Sequence, residues 1–587
     1  MTDAVASNGF AGSDPARLKR RHRAELRLRA YGIAALVFAG LSLIALMGSV
    51  VLSASEALRE TYVTLPVELS AEVIDPDGTG DPNIIRRADF NGLTRDALRT
   101  RFPNATGRTE RRALNELLSV GASFELADQA AANPSMIGQT LPVRMLASDT
   151  LDLYLKGAFG GLDSRQVDGT LSLAVDDDTA VLTSDADDFA SLLAQARSSL
   201  RTQSDELRHQ ANLQNNGVEE FAHRAEAAEN EGAKTRALKQ VEARTAKRDG
   251  LLAEADALLA RADSTEGSEP LGENNASALI RAGGGWFKLT EVARDRVSAD
   301  ILVAPTGEVS DWSLLINETP EANRKLTDTQ IVWAEDLRDA GELETVFNTR
   351  FFTASDSREP ELAGIWGAAV GSFWTMLVTF ALAFPIGVLS AIYLEEFAPK
   401  NRLTALIEVN INNLAAVPSI IFGLLGLAVI IGFFGVPRSA PMAGGIVLAL
   451  MTLPTIIIAS RVSIAAVPPS IREAALGVGA SRLQVAFHHV LPLSMPGILT
   501  GAIIGMARAL GETAPLIMIG MVAFIVDVPD GVTDNATVLP VQVFRWADFP
   551  ERAFESRTAL AICVLLVFLI VMNALAVFLR KRFERRW

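Results

Sequence analysis

Cysteine is almost absent from this chain of 587 residues: Cys563, inside an apolar run, is the only one. An intrachain disulfide and a multi-cysteine metal site are thereby excluded. A phosphate-binding loop of the pattern G-x-x-x-x-G-K-[S/T] is missing as well. In Gly232-Ala233-Lys234-Thr235 an alanine separates glycine from lysine, and the stretch is charged and helix-forming. His488 and His489 are adjacent, so on a helix they point to different sides and do not converge on a metal. These absences predict a non-enzymatic chain with no catalytic, cofactor or metal site of its own. Long apolar runs are missing from one large region, Ala54 to Pro360, where no segment reaches the roughly 20 apolar residues needed to cross a bilayer.

Elsewhere such runs dominate. The chain is 49% hydrophobic yet 21% charged, with a net charge of -15, values that describe two environments rather than one uniform domain. Most acidic residues lie between the apolar blocks, so their excess does not indicate a basic ligand. The blocks Tyr31–Leu52, Gly364–Tyr393, Leu414–Phe434, Pro441–Ser460, Pro496–Ile525 and Ala559–Leu579 predict six membrane spans. Arg17, Lys19, Arg20, Arg21, Arg23, Arg27 and Arg29 precede the first block, and a basic run abutting a span reads as a cytoplasmic juxtamembrane segment before it reads as a nucleic-acid arm. Ser53-Ala54-Ser55 resembles the exit of a signal peptide, but the apolar run exceeds the about 7–15 residues of a signal core, so a retained helix is predicted.

Loop charges set the expected orientation. Lys400 and Arg402, the loop at Arg472 and the tail Arg580-Lys581-Arg582 are basic, whereas Asp527–Arg557 is acidic on balance. By the positive-inside rule both termini are expected in the cytoplasm. The predicted organisation is a basic tail over 1–30, a first transmembrane helix over 31–53, an extracytoplasmic insertion over 54–360, and a core over 361–587 carrying helices 2–6. Within the insertion, Tyr62–Ile74 nearly alternates and ends at the turn signal Asp75-Pro76-Asp77-Gly78; Thr170–Leu182, Val297–Ala304 and Trp312–Ile316 are also strand-like. Ala190–Ala262 is helical in composition, with an expected interruption near Asn215-Asn216-Gly217. Thr245 and Arg248 interrupt the heptad seam of Leu238, Val241, Leu252, Ala255 and Leu259, so a two-helix hairpin is favoured over a long coiled coil. The insertion is therefore expected to be α+β.

The polar stretch from Arg472 to Gly501 separates two spans. Glu473-Ala474-Ala475, Gly479 and Leu491-Pro492 match the E-A-A-x3-G-x9-I-x-L-P spacing of the EAA loop in membrane subunits of ABC importers, with His489 where isoleucine is usual. Small residues let a partner surface approach closely, and the glycine permits a tight turn. Three further strings occur in order: Ala391-Ile392-Tyr393-Leu394-Glu395-Glu396, Val417-Pro418-Ser419-Ile420-Ile421-Phe422-Gly423, and Arg508-Ala509-Leu510-Gly511-Glu512-Thr513-Ala514-Pro515. With the loop, they make Gly364 to the C-terminus resemble the PstA family, the A-type permease of the bacterial high-affinity phosphate importer. Two departures accompany the resemblance: Ser460-Arg461-Val462-Ser463 lacks the acidic residues common before the loop in this family, and typical members have a short external loop in place of Ala54–Pro360.

The resemblance implies a type I ABC importer permease fold, with Glu473, Ala474, Ala475, Gly479, Leu491 and Pro492 coupling to an ATPase. It implies as partners a second permease subunit in a heterodimer, an ATPase dimer that holds ATP and Mg, and an external phosphate-binding protein, all in a lipid bilayer and without nucleic acid. Arg508, Glu512, Thr513 and Pro515 are the candidate translocation-path residues. Charges inside a span face a protein interior or water. Arg508 and Glu512 share a helix face and can pair, and Pro515 removes the N–H that the Gly511 carbonyl would otherwise accept. Asn410, Asn412 and Asn413 either line the pathway or cap and hydrogen-bond at the start of the third span, the second reading being favoured; Pro385, Pro418 and Pro454 read as bends, and Glu395 and Glu396, at a helix end near the cytoplasm, as solvated or ATPase-facing. Two other readings remain open: a permease for another oxyanion, sulfate or molybdate, and a membrane-anchored sensor or scaffold working through its external domain.

Overall fold

The computed structural model describes residues 15–583 apart from 177–178, 229, 265–266, 274, 308 and 310. The first 14 residues of the expected basic tail and the last four of the chain lie outside the described residues. The chain forms two compact units, Thr61–Thr345 and the remainder on either side of it. The expected boundaries at 54 and 360 shift inward: Ala54, Ala57 and Phe351 are buried in one apolar cluster with Trp546 and Phe554.

Thr61–Thr345 contains two sheets. In the smaller, Arg59–Glu68 lies between Thr140–Leu146 and Leu343–Phe347. Its alternate residues Val63, Leu65 and Val67 are buried, the period-two pattern of a strand with one face on a core. The expected strand to Ile74 stops at Glu68, because Ala71–Ile74 is a helical turn. Asp75 then closes the following turn by accepting hydrogen bonds from the Thr79 and Gly80 amides at 3.0 and 2.6 Å. These bonds to its charged form, chiefly the one from Gly80, hold the Asp75 carboxyl below the usual carboxylate range.

The larger sheet has eight strands, in the order Asp163–Arg165, Trp312–Asn317, Ser277–Ala282, Gly285–Val292, Arg296–Val303, Thr179–Ser184 and Leu171–Asp176, with Glu269–Pro270 paired to Gly285–Val292. The single strand expected over Thr170–Leu182 is an antiparallel pair. Helix Ala190–Glu226 lays Leu192, Leu193 and Ala196 on one face of this sheet against Leu182, Ile280 and Phe287. Helix Asp328–Asp339 covers the other face, with Val332 against Leu279 and Trp286.

Ala190–Glu226 and Glu231–Ala262 form an antiparallel hairpin, pairing Arg201 with Asp263 and Arg208 with Asp256, both at 2.9 Å. The interruption expected at Asn215-Asn216-Gly217 is not there. Those residues are helical, Asn215 accepting from Arg248 Nη1 at 3.0 Å, and the break falls after Glu226, where Asn230 caps the second helix by accepting from the Ala233 amide at 2.7 Å. Tertiary partners across the hairpin outweigh the local turn propensity of Asn and Gly.

The second unit holds the apolar helices: α1 (Pro15–Ala57), α2 (Trp366–Phe397), α3 (Arg402–Ala415), α4 (Ser419–Ile431), α5 (Pro441–Ala465), α6 (Pro469–Gly477), α7 (Arg482–Gly511), α8 (Ala514–Met518), α9 (Leu539–Ala547) and α10 (Ala553–Phe583). Among the described residues, five helices are long and apolar enough to cross a membrane: His22–Ala57, α2, α5, α7 and Ala553–Arg582. A sixth crossing requires α3 and α4 together, and these bend by 103° at Ala416-Val417-Pro418. The bend expected at Pro418 is thus a full break in the element expected as the span Leu414–Phe434. Pro418 disfavours helical backbone at Val417 and lacks an N–H, so α3 cannot continue through it. Pro385 and Pro454, by contrast, lie inside continuous helices.

Helices α2, α5 and α7 pack closely. A Cβ on Gly501 of α7 would stand 2.2 Å from the Ala459 Cβ of α5; helix association in lipid depends on such close contact between small residues. After α2, α5 and α7, helix α9 is tied down by Asp356, which accepts from Gln542 Nε2 at 2.7 Å, Arg545 Nη1 at 2.7 Å and Trp546 Nε1 at 3.0 Å.

Two stability predictions follow from these contacts. Gly501→Leu forces α5 and α7 apart and should cost about 1–3 kcal/mol, read as a lower unfolding temperature of the chain in detergent; an unchanged temperature would show that the crossing has slack. In the other unit, Asp328 is buried beside Arg324, within 3.0 Å of Lys288 Nζ and of Ser277 Oγ. Burial alone would raise its carboxyl pKa, but the charges of Arg324 and Lys288 together hold it below the usual range. Its contribution is therefore complete above about pH 4, the unfolded carboxyl value, and lost as pH falls through the lower folded value. Asp328→Asn should lose about 3–5 kcal/mol near neutral pH, measured as faster hydrogen exchange in the strand Gly285–Val292, and should remove that acid dependence.

Candidate functional site

The four sequence strings come together as two pairs. The first pair is made of chain breaks. Helix α7 ends at Gly511; Glu512 is extended at φ -80 and ψ 117, and α8 starts two residues later. The long span expected over Pro496–Ile525 is thus interrupted before Pro515. Pro515 stands in the first turn of α8, where a missing N–H costs nothing, and the non-helical backbone lies at Glu512 and Thr513. Facing it is the start of α4: a Cβ on Gly423 would stand 2.7 Å from Pro515 Cα and 2.9 Å from its carbonyl oxygen. Val417-Pro418-Ser419 and Glu512-Thr513-Ala514 therefore belong to two broken elements in direct contact.

Arg508 occupies the last turn of α7, where a cation is favoured by the helix dipole. Its Nε lies 3.4 Å from Glu512 Oε1, the pairing the spacing predicts but long for a hydrogen bond, with the Arg508 side chain 53% exposed and that of Glu512 20%. Thr513 is half-buried and Pro515 buried. Asn410, on α3, donates to the Leu406 carbonyl one turn back at 2.9 Å, a local bond that uses its side chain as the sequence suggested.

The second pair joins Tyr393–Glu396 to the loop. Glu473 and Ala474 on α6 are exposed, while Ala475 is buried in a cluster with Ala391, Ile392, Ile464, Val485 and Val490. Gly479 has φ +91, a backbone region closed to most L-residues, and it turns the chain between α6 and α7. Ser481 and Gln484 then form a capping box: the Gln484 amide donates to Ser481 Oγ at 3.3 Å and the Ser481 amide to Gln484 Oε1 at 2.9 Å. From Arg482 the helix runs without a break through Leu491 and Pro492, both half-buried, to Gly511, and widens to i→i+5 turns over Val485–Val490. His488 and His489 are exposed within that wide segment.

Sequence reasoning assigned Glu395 and Glu396 a solvated or ATPase-facing place at a helix end. They are instead the counter-charges of the loop. Arg472 donates to Glu396 Oε1 from Nη2 at 2.8 Å and Nε at 3.0 Å, and Arg461 Nε reaches Glu395 Oε1 at 2.6 Å. The signal was present: two carboxylates follow the apolar run Gly364–Tyr393 and two arginines follow Pro441–Ser460, two runs later and so on the same expected side of the membrane.

A family model described as binding-protein-dependent transport system inner membrane component matches residues 383–586. A model of a domain of unknown function, DUF3333, matches 15–161. The phosphate transport system permease protein PstA 1 of Mycobacterium tuberculosis (strain CDC 1551 / Oshkosh) is 31% identical over 225 residues, 38% of this chain and 72% of that protein. PstA of Haemophilus influenzae is 27% identical over 235 residues, 40% and 81% of the two chains. The probable ABC transporter permease protein YqgI of Bacillus subtilis is 30% identical over 168 residues, which is 29% of this chain and 57% of that protein. Among solved structures, a chain of the MetNI methionine ABC transporter aligns over 38% of this chain and 98% of its own at 18% identity and a TM-score of 0.31.

The protein is thus a membrane permease of the ABC importer class, built around an EAA loop. More narrowly, the chain belongs to the PstA family of phosphate transport permeases.

The turn at Gly479 yields a ranked prediction. No atom stands within 4 Å of a Cβ placed there, so the cost of substitution is conformational. Gly479→Ala should destabilise by about 1–2 kcal/mol, and Gly479→Asn by less because asparagine tolerates the left-handed region. Thermal unfolding of both variants checks the order; equal stability of Gly479→Ala and wild type would show that the turn relaxes to another conformation.

Proposed function

We propose that this chain is one of two permease subunits lining the path of an ATP-driven importer of inorganic phosphate. The observation that carries the reading is the ordered set of four strings, which recur as two packed pairs, in a chain 31% identical to a phosphate transport system permease. Under it, ATP and Mg are held by a separate ATPase dimer, and an external phosphate-binding protein supplies the anion. Basic residues near Lys400, Arg402 and Arg472 and in the C-terminal turn put the α6 side and both termini in the cytoplasm. Thr61–Thr345 is then extracytoplasmic.

Arg508 is the anion-binding group of this path, with Glu512 beside it and Thr513 and Pro515 forming the adjacent break. A guanidinium presents a planar fork of donors that matches phosphate bidentately. Its half-exposed side chain and the long 3.4 Å contact to Glu512 leave it able to exchange one anionic partner for another. Glu512 competes with the arriving anion, so phosphate is engaged without being trapped. Glu473, Ala474, Ala475, Gly479, Leu491 and Pro492 receive the motion of the ATPase. Because one helix runs from the coupling turn at Arg482 to Arg508, displacement at its first turn tilts its last, which is the rocking that alternating access requires.

Arg508→Gln removes a charged hydrogen-bond donor and should lower labelled-phosphate uptake by about ten- to a hundredfold at normal membrane abundance. Uptake at the wild-type level would take Arg508 out of the path. Stronger competition by sulfate or molybdate than by unlabelled phosphate would assign the permease to another oxyanion.

A further inference from the structure

A cluster of two guanidiniums and three carboxylates joins the end of α2, the middle of α3, the last turns of α5 and the short helix α6. Glu395 and Glu396 are neighbours in a wide i→i+5 turn, Tyr393–Phe397, that closes α2. Consecutive residues on a helix diverge by about 100°, so the two carboxylates face different partners. Glu395 meets Arg461 of α5, whose Nη2 also reaches Glu408 Oε1 of α3 at 2.9 Å. Glu396 meets Arg472 of α6 through two guanidinium nitrogens.

Arg472 has a second task. It donates to the carbonyls of Ile464, at 2.9 Å, and Val467, at the end of α5. Carbonyls at a helix C-terminus have no partner within the helix and are stabilised by a cation. One side chain therefore fastens the exit of α2 to the exit of α5, and its backbone is joined directly to Glu473. All five side chains are at least partly screened from solvent: Glu396 is 13% exposed, Arg461 and Arg472 23%, Glu395 24% and Glu408 37%. Ion pairs this sheltered hold their geometry better than exposed ones, and breaking one leaves a charge without its partner.

We propose that Arg472 and Glu396 form a clasp that transmits displacement of the coupling helix to α2 and α5, with Arg461, Glu395 and Glu408 extending it to α3. This rests on the importer reading above and adds a route to it. In that reading motion enters the membrane helices through the covalent continuity of the loop with α7. The clasp makes α2 and α5 move with it, so that the three packed helices shift as one body instead of shearing. Neither Arg472 nor Glu396 contacts the proposed anion path; both are positioning residues.

The test uses the complex purified with its own ATPase and binding protein, reconstituted in vesicles, with ATP hydrolysis and uptake of inorganic phosphate measured on the same sample. Glu396→Gln and Arg472→Gln should each leave hydrolysis within about twofold of wild type while uptake falls about tenfold, raising the ATP consumed per phosphate moved. The exchange variant, Glu396→Arg with Arg472→Glu, should recover at least part of the coupling, which a purely structural role does not require of a complex that already assembles. Unchanged ATP per phosphate in both single variants overturns the clasp, as does an exchange variant that assembles without recovering coupling. If a single variant fails to assemble, the exchange variant alone decides, by the same ratio. A wild-type complex that hydrolyses ATP but moves no phosphate would count against the importer reading itself.

Discussion

Every departure of this chain from helical backbone inside its apolar segments leaves polar groups that lipid cannot satisfy, and this constraint organises the membrane unit. Among the described residues, two such departures lie at Ala416-Val417-Pro418 and at Glu512-Thr513, and the helices that follow them, α4 and α8, are in contact. Gly423 makes the contact possible, because any side chain there would collide with the backbone of Pro515. Irregular backbone is tolerated at membrane depth only against protein or a water-filled cavity, and that is also where a polar solute must pass. The two breaks and Arg508 beside one of them lie in the part of the unit where α4 packs against α8.

Charge obeys the same rule. Four arginines of this unit have acceptors supplied by other elements: Arg461 and Arg472 from α2 and α3, Arg545 from Asp356 at 2.7 Å, and Arg557 from the Ala363 carbonyl at 2.9 Å. Arg508 departs from this pattern. Its contact with Glu512 is local, long and half open to solvent.

The unit Thr61–Thr345 solves a different problem. Its large sheet is covered on both faces, by the helical hairpin and by Asp328–Asp339, so its stability is that of an ordinary water-soluble core. The DUF3333 model runs from α1 through residue 161 and thus joins a membrane helix to the small sheet and its helices in one sequence module. The large sheet and the hairpin come later in the chain than that module.

Local signals carried much of this structure in the sequence. Apolar length located the spans, turn residues located Asp75–Gly80, and the spacing from Glu473 to Pro492 marked the loop, because each depends on neighbours within one or two helical turns. The bend at Pro418 was legible, but the size of the break it makes, 103°, escaped, because average hydropathy over a window is blind to backbone direction. The hairpin break escaped for the opposite reason: Asn215-Asn216-Gly217 reads as a turn, and only Arg244 and Arg248 on the returning helix keep it helical. Which charges pair was likewise a tertiary decision. Glu396 and Arg472 stand 76 residues apart, and an ion pair between them forms only when packing of α2 against α5 brings both helix ends to one place. Composition and hydropathy by themselves marked a membrane chain with one large polar region, and the strings around Glu473–Pro492 carried its resemblance to importer permeases. What the folded chain decided was where its helices break and what holds the loop to them, since both depend on contacts between segments distant in sequence.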